Sequence, residues 1–188
     1  MARFRSLNLG LVLLVGLGLF GLASATGAPG LVGEASAQAV GPNKSGLPLP
    51  RFVTLKSSRV NLRIGPGRNY PVDWMYTKSG LPVEIIQEYD NWRRIRDSEG
   101  TEGWINQSLL SGRRSGIAAP WFKGKEMSIP MMRDRDEASR QVALIEPGAM
   151  GTIETCDGKW CEMRFGSYRG YVIQSLIWGA YPDEKIDG

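Results

Sequence analysis

The chain of 188 residues offers little for covalent or acid–base chemistry. It has no histidine, which removes the commonest general base and the usual catalytic triads. Its only thiols are Cys156 and Cys161, in CDGKWC. A metal pair or a redox dithiol fits them poorly, since no histidine accompanies them and the gap is x4 rather than x2. Asp134, Asp136 and Glu137 form the densest carboxylate group. They lack the glycine and distal glutamate of an EF-hand loop and read as a solvated loop. The glycines of Gly65-Pro66-Gly67 fall between strands, so they are turn residues and not a phosphate loop opening a helix. No placed acid, base or nucleophile emerges, and the reading is of a protein that is not an enzyme and needs no cofactor or metal.

Surface recognition remains, and aromatic side chains are its natural instrument. Tyr70, Trp74, Tyr76, Tyr89, Trp92 and Trp104 crowd one stretch. Trp92 and Ile95 are three apart, so on a regular strand they face opposite sides. With Ile95 in the core, Trp92 points outward beside Arg94 and Arg96. The same rule turns Trp160 outward, opposite Met163 and Phe165. An outward tryptophan beside cations suits a shallow site for a peptide or sugar. Alternatively, Trp92 folds back over the end of its domain. Trp104 and Tyr171, each next to a glycine, are expected in the core. The candidate ligand-binding set is therefore Tyr70, Trp74, Trp92, Arg94 and Trp160.

These residues lie on a duplicated frame. GWINQSLL (103–110) returns as GYVIQSLI (170–177). VNLRIGPGRNYPVDW (60–74) faces IPMMRDRDEASRQV (129–142), and GLPVEIIQEYDNWRRIR (80–96) faces GAMGTIETCDGKWCEMR (148–164). Trp92 aligns with Trp160 and Gly80 with Gly148 at one constant offset. The 24 Gly and 11 Pro argue for many turns and short strands. The pattern predicts strands over Phe52–Leu55, Val60–Arg63, Val83–Gln87, Trp92–Arg96 and Gly103–Ile105, with turns at Asp90-Asn91 and Ser98-Glu99-Gly100. Five strands in so short a unit favour a small closed barrel, which hides its edges. The expected layout is barrel one over 51–111, a linker over 112–120 (GRRSGIAAP), barrel two over 121–182 and a tail over 183–188.

The string LRIGPGRNYPV, then GLPVEII, the Trp92-x-x-Ile95 step, GWI and SLL resembles the bacterial Src-homology-3-like (SH3-like) family. More narrowly, it is similar to the exported tandem form of Gram-negative bacteria. The resemblance implies an all-β protein of two five-stranded barrels that acts as a recognition or targeting module, often on cell-wall peptides or glycans. It also places Tyr70-Pro71 on the loop that flanks the ligand groove of the eukaryotic barrels. Copy two departs from the pattern, with DRDEASRQ in place of IGPGRNYP.

The first 25 residues have the three parts of a secretory signal: Arg3 and Arg5, an apolar run from Leu9 to Leu22, and Ala23-Ser24-Ala25. The run is shorter than the roughly 20 residues a membrane span needs. Cleavage after Ala25 is expected, with Ala39 as the alternative, followed by a flexible leader over 26–50. Removing Arg3 and Arg5 takes 23 basic residues to 21 against 19 acidic, a formal net of +2. That balance carries no nucleic-acid signature. A periplasmic or secreted location makes the even cysteine count read as a disulfide, Cys156–Cys161. Copy one holds Glu88 and Arg93 at the same places, so an ion pair there stands for the covalent bond. Opposing Ile85 with Ile95 needs an odd loop and opposing Cys156 with Cys161 an even one; a one-residue bulge reconciles them. The expected partner is a cell-wall peptide or glycan, or an extended segment of an envelope protein. The alternative is a structural adaptor or inhibitor docked permanently on an envelope protein.

Overall fold

The computed structural model describes residues 45–188, all within one compact unit. The signal-peptide reading and most of the leader lie outside the described residues. Among the described residues no helix is long and apolar enough to cross a membrane.

Copy one contains β1 (Arg51–Leu55), β2 (Val60–Arg63), β3 (Val72–Tyr76), β4 (Pro82–Tyr89), β5 (Trp92–Arg96), β6 (Glu102–Asn106) and β7 (Leu110–Ser111). Copy two contains β8 (Ser115–Ala118), β9 (Ile129–Met132), β10 (Gln141–Ile145), β11 (Met150–Asp157), β12 (Trp160–Phe165), β13 (Tyr168–Ile173), β14 (Ile177–Trp178) and β15 (Lys185–Ile186). The first sheet runs β3-β2-β6-β5-β4-β1-β7 and the second β10-β9-β13-β12-β11-β8-β14, with β15 on β11. The two orders are the same path, so the duplication read from the sequence is a duplication of topology.

Each copy has its own core. Leu55, Val60, Leu62, Val83, Ile85, Ile95 and Ile105 fill the first; Ile129, Met131, Ile153, Cys161, Met163, Val172 and Ile177 fill the second. The repeated phrase builds the closure of both. Gly103 and Gly170 point inward where strands approach too closely for a side chain. A Cβ at Gly103 would lie 2.6 Å from Leu62 and 2.9 Å from the Arg63 carbonyl, and one at Gly170 would lie 2.6 Å from the Met132 carbonyl. The Gln107 and Gln174 backbone N–H groups then donate to the Asn91 and Lys159 carbonyls, each at 2.9 Å. A short 3-10 turn over Gln-Ser-Leu follows, and Leu110 and Ile177 pair back onto Leu55 and Ala118 of the first strand of each barrel.

The expected bulge is present in both copies. Ile85 opposes Ile95 and Glu88 opposes Arg93, with the register shift between Ile85 and Gln87. Ile153 opposes Met163 and Cys156 opposes Cys161, with the shift between Ile153 and Thr155. Cys156 and Cys161 are bonded, with Cα atoms 4.1 Å apart.

Three expectations are corrected. Five strands per copy understates the sheet: β3 and β7 were not anticipated. The segment read as a linker contains β8, whose four residues are all buried and which pairs with β11 and β14 as β1 pairs with β4 and β7. Its small residues reflect tight packing, since a Cβ at Gly116 would lie 2.4 Å from Ile177. Trp104 and Tyr171 are half-buried on the outer face rather than in the core, because the neighbouring glycines take the inward positions.

The barrels also touch. Phe52 of β1 packs against Trp178 (5.1 Å between ring centroids) and Tyr181 (4.7 Å). The Tyr181 hydroxyl donates to Glu84 Oε1 at 2.7 Å, and the Ser115 hydroxyl donates to the Gly80 carbonyl at 2.6 Å. Burial, then the Glu84 contact, pushes the Tyr181 phenol well above its ordinary pKa.

Candidate functional site

Strand alternation puts Trp92, Arg94 and Arg96 of β5 on the outer face of barrel one, with Trp104 and Asn106 of β6 and Asn61 and Arg63 of β2 beside them. The ladder fixes the rows: Trp92 opposes Asn106, and Arg94 opposes Trp104, which opposes Arg63. Half-buried Trp92 lines a groove of about 350 Å³ whose rim carries Arg59, Arg63 and Arg68, with Asn61, Asn106 and Met75. The Arg63 guanidinium donates to the Tyr70 carbonyl at 2.6 Å, which fixes its reach. None of Arg59, Arg63 and Arg68 has a carboxylate within ion-pair distance among the described residues. Three cations and an indole lining one groove form a surface suited to carboxylate-bearing ligands.

The structure separates the sequence-derived candidates. Trp92 lines this groove. Tyr70 does not line it, although its carbonyl holds Arg63: the ring covers Gly65, where a Cβ would come within 2.3 Å of it, and remains exposed. That close stacking is why the turn reads Gly-Pro-Gly. Trp74 is 57% exposed on β3 but faces a different hollow, with Lys78, Asp97 and Glu99. Arg94 is tied to Glu102 at 2.8 Å and does not line the groove.

Trp160 corrects the expectation of an outward, accessible ring. Alternation does place it on the outer face, opposite Cys161 and Met163, but it is only 4% exposed. Pro130, Met132, Ile173 and Leu176 surround it in a hollow of about 220 Å³. That hollow is the copy-two counterpart of the Trp92 groove, since Trp160 opposes Ile173 as Trp92 opposes Asn106. Its chemistry has changed: Met132 stands where copy one has Arg63, and Ile173 where it has Asn106.

The buried carboxylates already have structural partners. Glu84 accepts from Arg96 (2.6 Å) and Tyr181. Asp97 accepts from Tyr76, Glu99 and Thr101 around the β5–β6 turn. Glu88 accepts from Ser45 and Arg51, with Arg93 at 3.2 Å. Burial works against the charged Glu88, but hydrogen bonds from Ser45 and Arg51 and the Arg93 charge hold its pKa at about 2. Asp134, Asp136 and Glu137 are exposed, and no cluster able to hold a metal ion occurs among the described residues.

Sequence reasoning missed Arg59, Arg63 and Arg68 as a group. Only Arg63 lies on a strand read from the pattern, and the loops that bring the other two beside Trp92 carry no periodic signal. It also missed the exposed edge. β3 ends its sheet, and Ile64, Tyr70, Val72, Trp74 and Met75 are all exposed along it and the loop before it.

The family model described as a bacterial SH3 domain matches this chain twice, over residues 56–112 and 126–179. No curated protein matches it. The solved structures to which this chain is similar include two from one organism. NlpC2 from Trichomonas vaginalis aligns at 12% identity with a TM-score of 0.32, covering 74% of this chain and 51% of that one. NlpC1 from the same organism aligns at 13% identity with a TM-score of 0.31, covering 76% and 49%. This chain spans about half the length of each.

Proposed function

This chain belongs to the bacterial SH3 domain family, and from that premise we propose that it is an exported, non-enzymatic tandem binding module, periplasmic or secreted. Its target is a cell-wall peptide or glycan, or an extended segment of an envelope protein. The observation that carries the reading is the outer groove of barrel one, where Trp92 is rimmed by Arg59, Arg63 and Arg68. That charge favours a carboxylate-bearing peptide over a neutral glycan at this groove. The disulfide supports an oxidising compartment, and the structural use of the buried carboxylates supports a role without catalysis. Barrel two, with Met132 and Ile173 at the matching places, is not a second copy of the same site. A pull-down on purified cell-wall sacculi tests the reading: the full chain is retained and Trp92→Ala is not. Equal retention of the two, or retention of neither, counts against it.

The second reading, a permanent adaptor on an envelope protein, is favoured by one observation. β3 presents an unpaired strand edge with exposed Val72, Trp74 and Met75. Such an edge is a template for strand addition. Co-purification of a stoichiometric protein from the envelope fraction, lost on Trp74→Lys, would favour this reading over the first.

A further inference from the structure

We propose that barrel two carries a binding site of its own, the hollow over Trp160, and that it takes a basic, apolar protein segment: an aliphatic side chain with a lysine or arginine beside it. The site is separate from the groove of barrel one, its ligand is opposite in charge, and it does not rest on that reading.

The loop between β9 and β10 is built like the loop between β2 and β3. In copy one the Ile64 N–H donates to the Pro71 carbonyl, the Gly67 N–H to Gly65 and the Tyr70 N–H to Gly67. In copy two the Arg133 N–H donates to the Arg140 carbonyl, the Asp136 N–H to Asp134 and the Ser139 N–H to Asp136. All three bonds recur at one constant offset. The flanking ladders match as well: Met132 opposes Gln141 and Tyr171 as Arg63 opposes Val72 and Trp104. The backbone is therefore the same, and side chains at matching places can be compared directly. Glu137 stands where copy one has Arg68, Met132 where it has Arg63, and Ser128 where it has Arg59. All three cations of the first groove are gone, and a carboxylate has replaced one of them.

The hollow that results selects its occupant. Trp160 floors it, Pro130, Met132, Ile173 and Leu176 wall it, and exposed Glu137 and Gln141 form the polar part of its lining. Its volume of about 220 Å³ lies below the roughly 300–1,000 Å³ of small-molecule sites and suits one side chain. The apolar walls favour an aliphatic group. Glu137 has no cation within ion-pair distance among the described residues. Arg135, in the same loop, is held by Asp157 at 3.3 Å and lies over the Tyr171 ring. The unpaired carboxylate thus selects a cation next to the aliphatic group and repels the carboxylate-bearing ligand that barrel one favours. The Gln141 amide supplies a donor and an acceptor for the backbone of the segment.

The test titrates the full chain with two end-blocked peptides, Gly-Gly-Leu-Lys-Gly-Gly and Gly-Gly-Leu-Glu-Gly-Gly, and follows the methyl signals of Met132, Ile173 and Leu176 by nuclear magnetic resonance. The lysine peptide moves these signals saturably, and the glutamate peptide binds about five-fold or more weakly. Glu137→Lys inverts that order. Ile173→Asn, which installs the copy-one residue, weakens the lysine peptide by about five-fold or more. Trp92→Ala leaves its affinity within about two-fold, so failure here and failure of the groove reading are distinct results. Methyl signals that do not move, equal binding of the two peptides, an order unchanged in Glu137→Lys, or undiminished binding by Ile173→Asn overturns the proposal. Glu137 is exposed on its loop, so its substitution spares the fold, which the same spectra verify.

Discussion

Arg93 Nε lies 3.2 Å from Glu88 Oε1, at the ladder position where copy two bonds Cys161 to Cys156. The two copies hold the same strand pair together by different chemistry, and the costs of losing each should differ. The disulfide closes a very short loop, so replacing both cysteines by alanine costs about 2 kcal/mol or less. Arg93 is 5% exposed and also bonds Asp90, Trp92 and Gln107. Arg93→Ala strips a buried carboxylate of one cation and costs about 3 kcal/mol. Urea denaturation of the two variants measures the order; a larger loss for the cysteine pair would contradict it.

Barrel one should lose stability in acid through Glu88. Its folded pKa of about 2 lies below the ordinary 4.5, so the carboxylate's contribution is complete above pH 4.5 and is lost as the pH falls towards 2. Stability measured against pH falls across that window in the wild type. Glu88→Gln starts lower and shows a flatter acid limb. An unchanged slope in the variant would rule out Glu88 as the source.

Gly103→Ala and Gly170→Ala should each destabilise the protein by about 1–3 kcal/mol, since the added methyl meets backbone carbonyls that cannot yield cheaply. Thermal melts of the two variants give the result. Neutral substitutions would mean that the strands are spaced more widely than described.

Tyr181→Phe removes the hydroxyl that bonds Glu84 across the barrel junction and should cost about 1 kcal/mol. Tyr181→Ala also removes the ring packed on Phe52. In that variant the barrels should tumble more independently, seen as shorter rotational correlation times by nitrogen-15 relaxation. Identical times in wild type and variant would show that this contact does not couple the barrels.

The duplication, most strands of copy one and the bulge were readable because each leaves a local trace: a repeated phrase, a two-residue period, and the parity conflict between Ile85–Ile95 and Cys156–Cys161. β3 was hidden because its side chains are nearly all exposed and show no inward–outward period. β8 was hidden because Gly116 and its small neighbours pack tightly, so close packing looked like linker composition. Trp160 was placed on the correct face, but its covering by Met132, Ile173 and Leu176 is tertiary and has no sequence period. The junction residues Phe52, Trp121, Trp178 and Tyr181 were likewise unreadable, since they meet only when the two barrels do. At the candidate site, Trp92 was legible by alternation, while the arginines around it became a group only on folding.

We propose that the cations lining the Trp92 groove of barrel one grip a carboxylate-bearing wall component. The most direct measurement is the affinity of the full chain for purified sacculi at rising salt, for the wild type and for Arg59, Arg63 and Arg68 together changed to alanine. The account predicts that the triple variant binds about ten-fold or more weakly and that its affinity depends less on salt. Equal affinity and an equal salt dependence would contradict it.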